Sequence, residues 1–598
     1  MSNDETSLPG SIADRAVLAA ISRRKLVGGA AGVLASFAAS GMFNRAAAAP
    51  LQRFGLANFL AQTLPDDAAA ADQQTFVVPA DPSIPKVLDF YEAVYERPSD
   101  GASDLFSDPL VRMDRNFQII PAAAESWSSD ETGTIWTFKI KQGLMWNDGN
   151  PLTGNDFVKT FQYGADPAHA WDFTWFFDGV MKNWHEVING TMPVDQLGVK
   201  TGADEYEFIM ETVDPAPYLP SMLLYSCPLS KAALEKYGPL YNTKPETHVS
   251  SGPFKLEEWT PDQQIVYVKN DAYTGALQVP VNKVFIKLAA PTSQFGLYQT
   301  DEIDFMGSIA PQDLQLVLAD PDMATQAYSG VGDFRTYYLF FDVTKAPFDD
   351  LRVRQAFSHV IDRDAIASSV LGPQGTPAYS WLAPGFPASD RDGLKSIQNY
   401  DVATAKQLMA DAGFPDGSGF PKQEMWLRAE TPLNQNVAAA IAAMLTENLG
   451  IEVEVSNRDQ KLFTDSLNAK PTEIPFGYVS YGMDFLDPVN MLSVWKSGGR
   501  HSWSNPDFDK GLEEAGSFLG DSAQRIEMFK AVEKILVEDV PGVFVYHYTP
   551  VQMIKPWVKG DFILPDDNGI TSLHWPGYSS MDTSPSELYI SSDAPNRP

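Results

Sequence analysis

The fold of this chain is decided above all by the stretch Pro347-Phe348-Asp349-Asp350-Leu351-Arg352-Val353-Arg354-Gln355-Ala356, which continues to Val360-Ile361-Asp362-Arg363. Asp349 and Asp350 are candidate N-caps, because their carboxylates suit the positive end of a helix. Apolar residues then recur at a mostly three- to four-residue spacing and predict one inward-packed face: Leu351, Val353, Phe357, Val360 and Ile361. Asp362 can cap a second helix through Ala365, Ile366 and Val370. Periodicity alone is typical of an ordinary helix pair in a large domain.

Composition limits the class of protein. A chain of 598 residues is longer than one hydrophobic core usually organises, so two or three lobes are expected. Hydrophobic residues make up 44% and aromatic residues 12%, as in a well-packed globular protein. The formal net charge of -33 argues against nucleic acid as a partner and disfavours anionic lipid, since both require clustered Lys and Arg. Acidity of this size indicates a soluble surface first and cationic ligands second.

The sequence offers little catalytic or metal-binding chemistry. Cys227 is the only cysteine, which excludes an intramolecular disulfide and thiolate-rich metal sites and predicts a buried packing residue. No nucleophile elbow, P-loop, H-E-x-x-H motif or dinucleotide fingerprint is present, and the seven histidines are scattered. His547, in an apolar run, is predicted to be structural. We therefore expect a protein that is not an enzyme, with no catalytic residue, no metal and no cofactor.

The N-terminus has the layout of an export signal. Ser22-Arg23-Arg24-Lys25-Leu26-Val27 precedes a run rich in Gly and Ala, and Ala46-Ala47-Ala48-Ala49 follows it. The paired arginines resemble a twin-arginine signal over residues 1–49. Residues 50–72 are then a linker or the mature N-terminus, because a second alanine run leaves cleavage open between residue 49 and residue 71. A membrane anchor is the alternative, but the apolar run is short and polar residues interrupt it. No cysteine follows it, so a lipoprotein is excluded.

The mature chain alternates between predicted strands and helices. Residues 74–78 predict an opening strand ended by Pro79, and residues 254–256 and 264–268 predict a strand pair. From Tyr337 onward, a strand, the motif helices, a helix capped by Asp401, a strand over 425–427, a helix over 434–449 and a strand over 451–455 follow in order. This alternation predicts an α/β lobe with a largely parallel sheet.

The order of residues in the opening stretch is more specific than its periodicity. P-F-D-D-x-R-V-R-Q-A-x-x-x-x-I-D-R resembles the internal signature of the ABC-transporter extracytoplasmic solute-binding proteins of the dipeptide/oligopeptide class, family 5. Separated blocks agree with this family in the same order along the chain: residues 120–127, 137–149, 251–256, 270–273, 303–305 and 481–492. Several such blocks behind an export signal make the resemblance strong. It covers most of the mature chain.

The resemblance implies the α/β fold of a type II periplasmic binding protein with three lobes. Lobe I would comprise residues 73–113, 249–335 and 546–598, lobe II residues 114–248, and lobe III residues 336–545. A ligand would lie in the cleft between lobes I and III, and the lobes would close by a hinge motion. By resemblance, the protein captures di- to oligopeptides in the periplasm and delivers them to the permease subunits of an ABC importer.

Other solutes remain open within the same family. Members also bind opines, oligosaccharides, nickel complexes or haem, and a peptide hydrolase is a more distant alternative. We expect a soluble monomer without a direct membrane anchor. The aromatic residues Trp381, Trp426, Trp495 and Trp503 receive no assignment, because packing explains them as well as a cleft does.

The resemblance also places the ligand. In peptide-binding members, an Asp in the block at residues 480–488 pairs with the α-ammonium group of the ligand, and residues just before it pair with the ligand backbone. On this chain the ammonium partner is Asp484, and Tyr481 and Gly482 fall in the backbone-pairing stretch. A buried ammonium group needs a carboxylate, because an unpaired charge in a closed cleft is costly. Asp487, in the D-P pair, is expected to be a turn residue.

Overall fold

The first lobe is built from strands that are far apart in the sequence. The structure, a computed structural model, describes residues 64–82, 88, 91, 105–114, 116–561 and 584–598, so the predicted signal over residues 1–49 lies outside them. A four-stranded sheet has the order Thr75–Ala80, Lys283–Leu288, Gln264–Lys269 and Phe254–Thr260. The predicted strand pair is confirmed. Pro79, however, lies within the first strand and does not end it, because this strand is at the sheet edge, where proline is tolerated.

The C-terminal segment completes this first lobe. Val551–Ile554 is the middle strand of a sheet with Phe305–Met306 and Ala327–Ser329, and Val558–Gly560 pairs with Leu588–Ile590. The side chain of Gln74 donates to the carbonyl of Ile590 at 2.8 Å and accepts from its N–H at 2.9 Å. The lobe's helices are Pro291–Gln299, Pro311–Ala319, Pro321–Ala324 and Ser584–Glu587. Residues from near both ends of the described chain therefore share one core.

The second lobe is a continuous insertion. Its sheet has the strand order Ala124–Ser129, Ile135–Ile140, Glu207–Glu211 and Val199–Thr201, and Val111–Met113 pairs with Ile119–Pro121 where the chain enters. Its helices are Gly154–Ala165, Trp184–Ile188, Leu219–Met222 and Lys231–Tyr237. Cys227 is buried, as predicted.

The two crossings between the first and second lobes are held together. The carbonyl of Phe106 on the outgoing segment accepts from Ser251 N at 3.1 Å, Gly252 N at 3.0 Å and Ser250 Oγ at 3.0 Å on the returning segment. A Cβ atom on Gly252 would lie 2.6 Å from the backbone nitrogen of Ser107, so only glycine permits this approach. The two crossing segments are therefore joined directly by hydrogen bonds.

The third lobe has a six-stranded mixed sheet. Its strands are β1 (Thr336–Phe341), β2 (Gly375–Pro377), β3 (Gln423–Arg428), β4 (Val453–Arg458), β5 (Phe476–Tyr481) and β6 (Gly542–Tyr548), in the spatial order β2-β6-β1-β5-β3-β4. β3 pairs in parallel with β4 and β5, whereas the pairings of β1 with β5 and β6, and of β2 with β6, are antiparallel. The prediction of a largely parallel sheet was therefore wrong. The βαβ units account only for the parallel pairings of β3 with β4 and β5. The strands next to the lobe crossings are paired antiparallel. β6 continues to Tyr548, beyond the expected boundary at residue 545.

Helices cover both faces of this sheet. They are α1 (Leu351–Val360), α2 (Arg363–Ile366), α3 (Val402–Asp411), α4 (Pro432–Leu449), α5 (Gln460–Asn468), α6 (Pro488–Ser493), α7 (Pro506–Gly516) and α8 (Ser522–Asp539), with a further turn at Arg391–Leu394. Asp401 caps α3, as predicted, by accepting from Thr404 N at 3.0 Å. Among the described residues, no helix is both long enough and apolar enough to span a bilayer.

The opening stretch forms the predicted helix pair. Asp350 caps α1 by accepting from Arg352 N at 2.9 Å, and Asp362 caps α2 by accepting from Ala365 N at 2.9 Å. Val353, Phe357, Val360 and Ile361 are fully buried. Leu351 was wrongly placed on the inward face: it is 37% exposed, because the first residue of α1 lies on the outer side of the turn.

Three buried histidines predict acid sensitivity. Burial lowers the pKa of His248 and His547 to about 3 and holds the pKa of His501 well below its usual value. Below about pH 6.5 these histidines bind protons in the unfolded chain but stay neutral in the folded protein. The free energy of unfolding therefore falls as the pH decreases from 6.5 towards 3. His248 and His547 each remove roughly 1.6 kcal/mol between pH 6.5 and pH 5, and His501 acts in the same direction.

His248→Leu tests this pH dependence directly. Both ring nitrogens of His248 lack a hydrogen-bond partner within the described chain, and the ring packs on Phe106 and Tyr267. We expect the variant to keep the stability of the unmodified protein at pH 7.5 and to lose about 2 kcal/mol less on acidification to pH 5. Urea unfolding at the two pH values measures both quantities. An unchanged loss would contradict the prediction.

Candidate ligand-binding site

The site begins where β5 extends beyond a neighbouring strand. On one side, β5 pairs with β1 as far as Tyr481, opposite Thr336. On the other side, the ladder with β3 reaches only Tyr478, opposite Leu427. β5 therefore continues past the end of its ladder with β3, and the residues after Tyr478 form an overhang. An extended ligand can add to such an overhang through its own backbone groups.

The chain leaves the sheet after Tyr481 and places Asp484 in a polar nest. Asp484 is 4% exposed, and its Oδ2 accepts hydrogen bonds from Tyr481 Oη and from Asn490 Nδ2, the latter at 3.1 Å. Its backbone N–H donates to Asn490 Oδ1 at 2.8 Å. Asn490 lies on α6, so the helix that follows the loop fixes both the backbone and the side chain of Asp484. The carboxyl group is oriented before any ligand arrives.

The charge state of Asp484 is set by opposing effects. Burial raises its pKa, and the hydrogen bonds from Tyr481 and Asn490 and the charges of Arg500 and Arg335 act in the opposite direction. Removal of water makes the ionised form costly unless a cation comes to it. A buried carboxyl of this kind stabilises a ligand cation more than an exposed one, because water screens the pair less.

Gly482 allows the loop to approach the segment that precedes β1, at Asp333. A Cβ atom at this position would lie 2.0 Å from Oδ2 of Asp333, and the next residue, Met483, donates its N–H to the Asp333 carbonyl at 2.7 Å. Asp333 also forms an ion pair with Arg335. Arg335 in turn donates to Ser480 Oγ on the overhang at 3.0 Å. The structure thus gives Gly482 a close-packing role.

Three arginines surround the same strand end. The guanidinium carbon of Arg500 lies 5.0 Å from the ring centroid of Tyr481. Arg428 is the last residue of β3, the strand that stops short of Tyr481. Burial lowers its pKa, Glu430 opposes this effect, and the like charges of Arg335 and Arg500 add to it. Among the described residues, the Arg428 guanidinium has no hydrogen-bond partner. The strand end therefore carries a cationic group suited to an anion.

The structure places the predicted residues as follows. Tyr481 and Asp484 meet through a hydrogen bond, and Gly482 lies between them in the loop. Asp487 is structural, as expected: it caps α6 through Val489 N at 3.0 Å and pairs with Arg525 at 2.7 and 3.0 Å. His547 is buried, with Nδ1 2.9 Å from Thr336 Oγ1. Trp381 and Trp495 are also buried, and the Trp381 ring stacks 6.3 Å from Tyr481.

Sequence reasoning missed Asn490, Arg335, Arg428 and Arg500. Arg428 had a usable signal, because it ends a predicted strand and the carboxyl ends of parallel strands meet at one sheet edge. Asn490 lies six positions after Asp484, in the first turn of the helix that the D-P pair begins. Arg335 and Arg500 had no such signal, since they reach the site only through the antiparallel β1 and a loop.

A separate surface cavity lies in the second lobe. Its volume is about 540 Å³, and it is lined by Ile135, Lys182, Glu211 and Val213 among others. Its Glu211 carboxylate is already paired, with Lys182 at 2.8 Å and Lys200 at 2.7 Å. Within the described residues, no group of three or more His, Cys, Asp or Glu side chains is arranged to hold a metal ion. The polar strand end of the third lobe is therefore the stronger candidate.

Fold and site together define a lobed binding protein with a preorganised charged cleft. Residues 118–503 match the model of the bacterial extracellular solute-binding proteins, family 5 Middle. This match covers more than half of the chain. The protein therefore belongs to the family 5 bacterial extracellular solute-binding proteins.

Known relatives agree over most of the length. The periplasmic oligopeptide-binding protein OppA of Salmonella typhimurium is 28% identical over 519 residues, covering 84% of this chain and 92% of the relative. The periplasmic murein peptide-binding protein MppA of Escherichia coli is 31% identical over 468 residues, covering 76% and 84%. The solved structure of Escherichia coli MppA superposes with a TM-score of 0.68 at 27% identity, covering 88% of this chain and 99% of that one. The fold is the three-lobed, type II periplasmic binding fold expected from the sequence.

Proposed function

We propose that this protein captures peptides with free termini in the periplasm and delivers them to an ABC importer. One observation carries the proposal: opposite charges flank the overhang of β5. The buried carboxyl of Asp484 follows the end of β5, and the guanidinium of Arg428 lies at the end of β3 beside it. A peptide is an extended backbone with an ammonium group at one end and a carboxylate at the other.

The dimensions of the site suit a short peptide. Neighbouring strands are about 4.8 Å apart, and each residue advances about 3.3 Å along a strand. Arg428 continues β3 one residue past Leu427, which is opposite Tyr478, so its backbone lies near Val479. A ligand whose ammonium meets Asp484 therefore reaches the guanidinium of Arg428 within a few residues. Between the two ends, Tyr481 and Gly482 continue the chain past the β3 ladder and are the residues proposed to pair with the ligand backbone.

The relatives support the same function. Their names describe periplasmic binding of oligopeptides and murein peptides. The proposal also includes export of this chain by the twin-arginine route and docking on permease subunits. The protein is proposed to act as a soluble monomer without a lipid anchor. The lobe boundaries at residues 113, 248 and 335 also belong to it, and we draw the last boundary, expected at residue 545, after Tyr548, where β6 ends. Ligand-driven closure takes its free energy from contacts that exist only when the lobes meet around the ligand.

Calorimetric titration of the purified mature protein tests the peptide assignment. The panel contains alanine peptides of two to five residues, each also in N-acetylated and C-amidated form, together with opines and oligosaccharides. We expect free peptides to bind and both blocked forms to bind more weakly. Binding of opines or sugars with no response to any peptide would overturn the proposal. Peptides should be recovered intact after long incubation, and turnover would instead indicate a hydrolase.

Arg428→Gln is expected to weaken binding of free peptides by about tenfold, or about 1.4 kcal/mol, through loss of a charge-assisted contact to the ligand carboxylate. The loss should be much smaller for the C-amidated peptide, which carries no carboxylate. Arg458→Gln is the matched control: Arg458 is opposite Arg428 on β4, but it pairs with Glu424 and stacks on Trp426. Equal losses for free and amidated peptides would contradict a carboxylate contact.

A further inference from the structure

The residue after Asp484 lies in an aromatic contact between two lobes. The ring of Phe485 stacks on that of Tyr218 in the second lobe, with centroids 5.6 Å apart and planes within 15°. On another side it meets Phe176, also of the second lobe, edge-on at 5.8 Å. Phe485 is 6% exposed, although it belongs to a loop of the third lobe. We call Phe485, Tyr218 and Phe176 the aromatic clasp.

The clasp is continuous with the cores of both lobes. Phe176 packs on Tyr225 of the second lobe at 4.8 Å. Burial, followed by the negative charge of Asp487 from the third lobe, raises the pKa of Tyr218 to about 12. One hydrophobic cluster contains Phe485 together with buried apolar side chains from both the second and the third lobe.

The loop that carries Phe485 is short and anchored on both sides. Asn490 holds the backbone and carboxyl of Asp484, and Arg525 holds Asp487. Asp484 and Phe485 are adjacent, so a shift of one moves the other. A ligand cation that pairs with Asp484 therefore acts on the same loop whose Phe485 ring contacts the second lobe.

We propose that Phe485 is a positioning residue that links occupation of the Asp484 site to the contact between the second and third lobes. The clasp holds the Asp484 loop in its binding geometry, and a ligand bound at Asp484 stabilises the clasp further. The proposal rests on the proposed function and adds the second lobe to the ligand response. Phe485 acts through Asp484 and does not itself contact the ligand.

A double-mutant cycle between the lobes tests the link. The probe is the alanine peptide that the unmodified protein binds most tightly, and affinity and dissociation rate are measured for Phe485→Ala, Tyr218→Ala and the double variant. We expect each single variant to weaken binding by about tenfold, mainly through faster dissociation. The double variant should be within about twofold of either single variant, because both remove the same contact. Multiplying effects, or unchanged affinity in Phe485→Ala, would overturn the proposal.

Two further variants separate the link from a general loss of structure. Phe485→Tyr keeps the ring and should bind within about twofold of the unmodified protein. Leu519→Ala removes a different contact between the same two lobes, since Leu519 lies against Gly133, and it should leave affinity unchanged. A tenfold loss of peptide affinity in Leu519→Ala would mean that any reduction of the contact area between the two lobes weakens binding. It would contradict a specific role of Phe485.

Hydrogen exchange provides a readout that needs no ligand. Phe485→Ala should speed amide exchange in residues 214–225 of the second lobe, across the lobe boundary, whereas Leu519→Ala should not. If no peptide binds the unmodified protein, the proposed function fails, and the exchange result alone decides whether the clasp exists. If peptides bind but Phe485→Ala changes neither exchange nor dissociation, only the clasp fails.

Discussion

Asp484→Ala is expected to weaken binding of a free peptide by about 2–5 kcal/mol, which is the cost of leaving a desolvated ammonium without its carboxylate. The effect should be large because Asp484 is 4% exposed and is oriented in advance by Tyr481 and Asn490. Asp484→Asn keeps the shape and the hydrogen-bonding capacity but removes the charge, and it should lose nearly as much. Calorimetry with free and N-acetylated peptides measures the difference.

The acetylated peptide is the internal control for Asp484. It has no ammonium group, so its weak binding should respond little to either substitution. If Asp484→Ala left the affinity for the free peptide unchanged, the carboxylate would have no part in recognition. If Asp484→Ala lowered the affinity for the free peptide and Asp484→Asn did not, the side chain would contribute through its packing and not through its charge.

The same pairing predicts a pH dependence of binding. Burial raises the pKa of Asp484 above its usual value, so on acidification the carboxyl becomes neutral at a higher pH than an exposed aspartate does. The neutral form offers no charge to the ammonium group, and affinity should therefore fall as the pH is lowered through this raised pKa. In Asp484→Asn this step should disappear from the affinity profile.

Arg363→Met is expected to lower the free energy of unfolding by about 3 kcal/mol, the second-largest effect we predict. Arg363 is 1% exposed and donates to the carbonyls of Phe544 at 2.6 Å, Ser358 at 3.2 Å and Ile361 at 3.3 Å. Methionine fills a similar volume but leaves these carbonyls without donors. Burial lowers the pKa of Arg363 to about 10, so the residue is still charged at neutral pH. Urea unfolding at pH 7.5 measures the loss.

The control for Arg363 lies in the same motif. Arg352 is about half exposed and pairs with Asp350 beside it, so Arg352→Met should cost less than about 1 kcal/mol. Equal costs for the two variants would mean that the motif acts through its helix propensity and not through the buried guanidinium. Peptide affinity should be unchanged in Arg352→Met, because Arg352 is on the outer surface of α1.

Local chemistry in the sequence was enough to predict the motif helices. Asp350, Asp362 and Asp401 each cap a helix where the sequence indicates one, because capping depends on nearby atoms only. The mixed sheet was missed because strand direction depends on where the chain crosses between lobes. Leu351 was misplaced because periodicity gives a face but not the residue at which the helix enters the core.

The candidate site was only partly predictable for a related reason. Asp484, Tyr481 and Gly482 were predicted because they lie close together in one recognisable block. Their partners come from elsewhere: Arg335 precedes β1, Arg428 ends β3, and Arg500 follows α6. Phe485 had no signal at all, since its contacts with Tyr218 and Phe176 span more than 250 positions of the sequence. Residues that are far apart in the sequence meet here only because of the tertiary structure.

The contact between Gln74 and Ile590 has a consequence for biosynthesis. These residues are 516 positions apart, and at about 5–20 residues per second a ribosome needs roughly half a minute to two minutes to make the chain between them. The inserted second lobe has its partners close in sequence and can complete itself early. The first lobe keeps an open edge until the last residues emerge, so premature termination anywhere before residue 590 leaves an incomplete core exposed to aggregation and proteolysis.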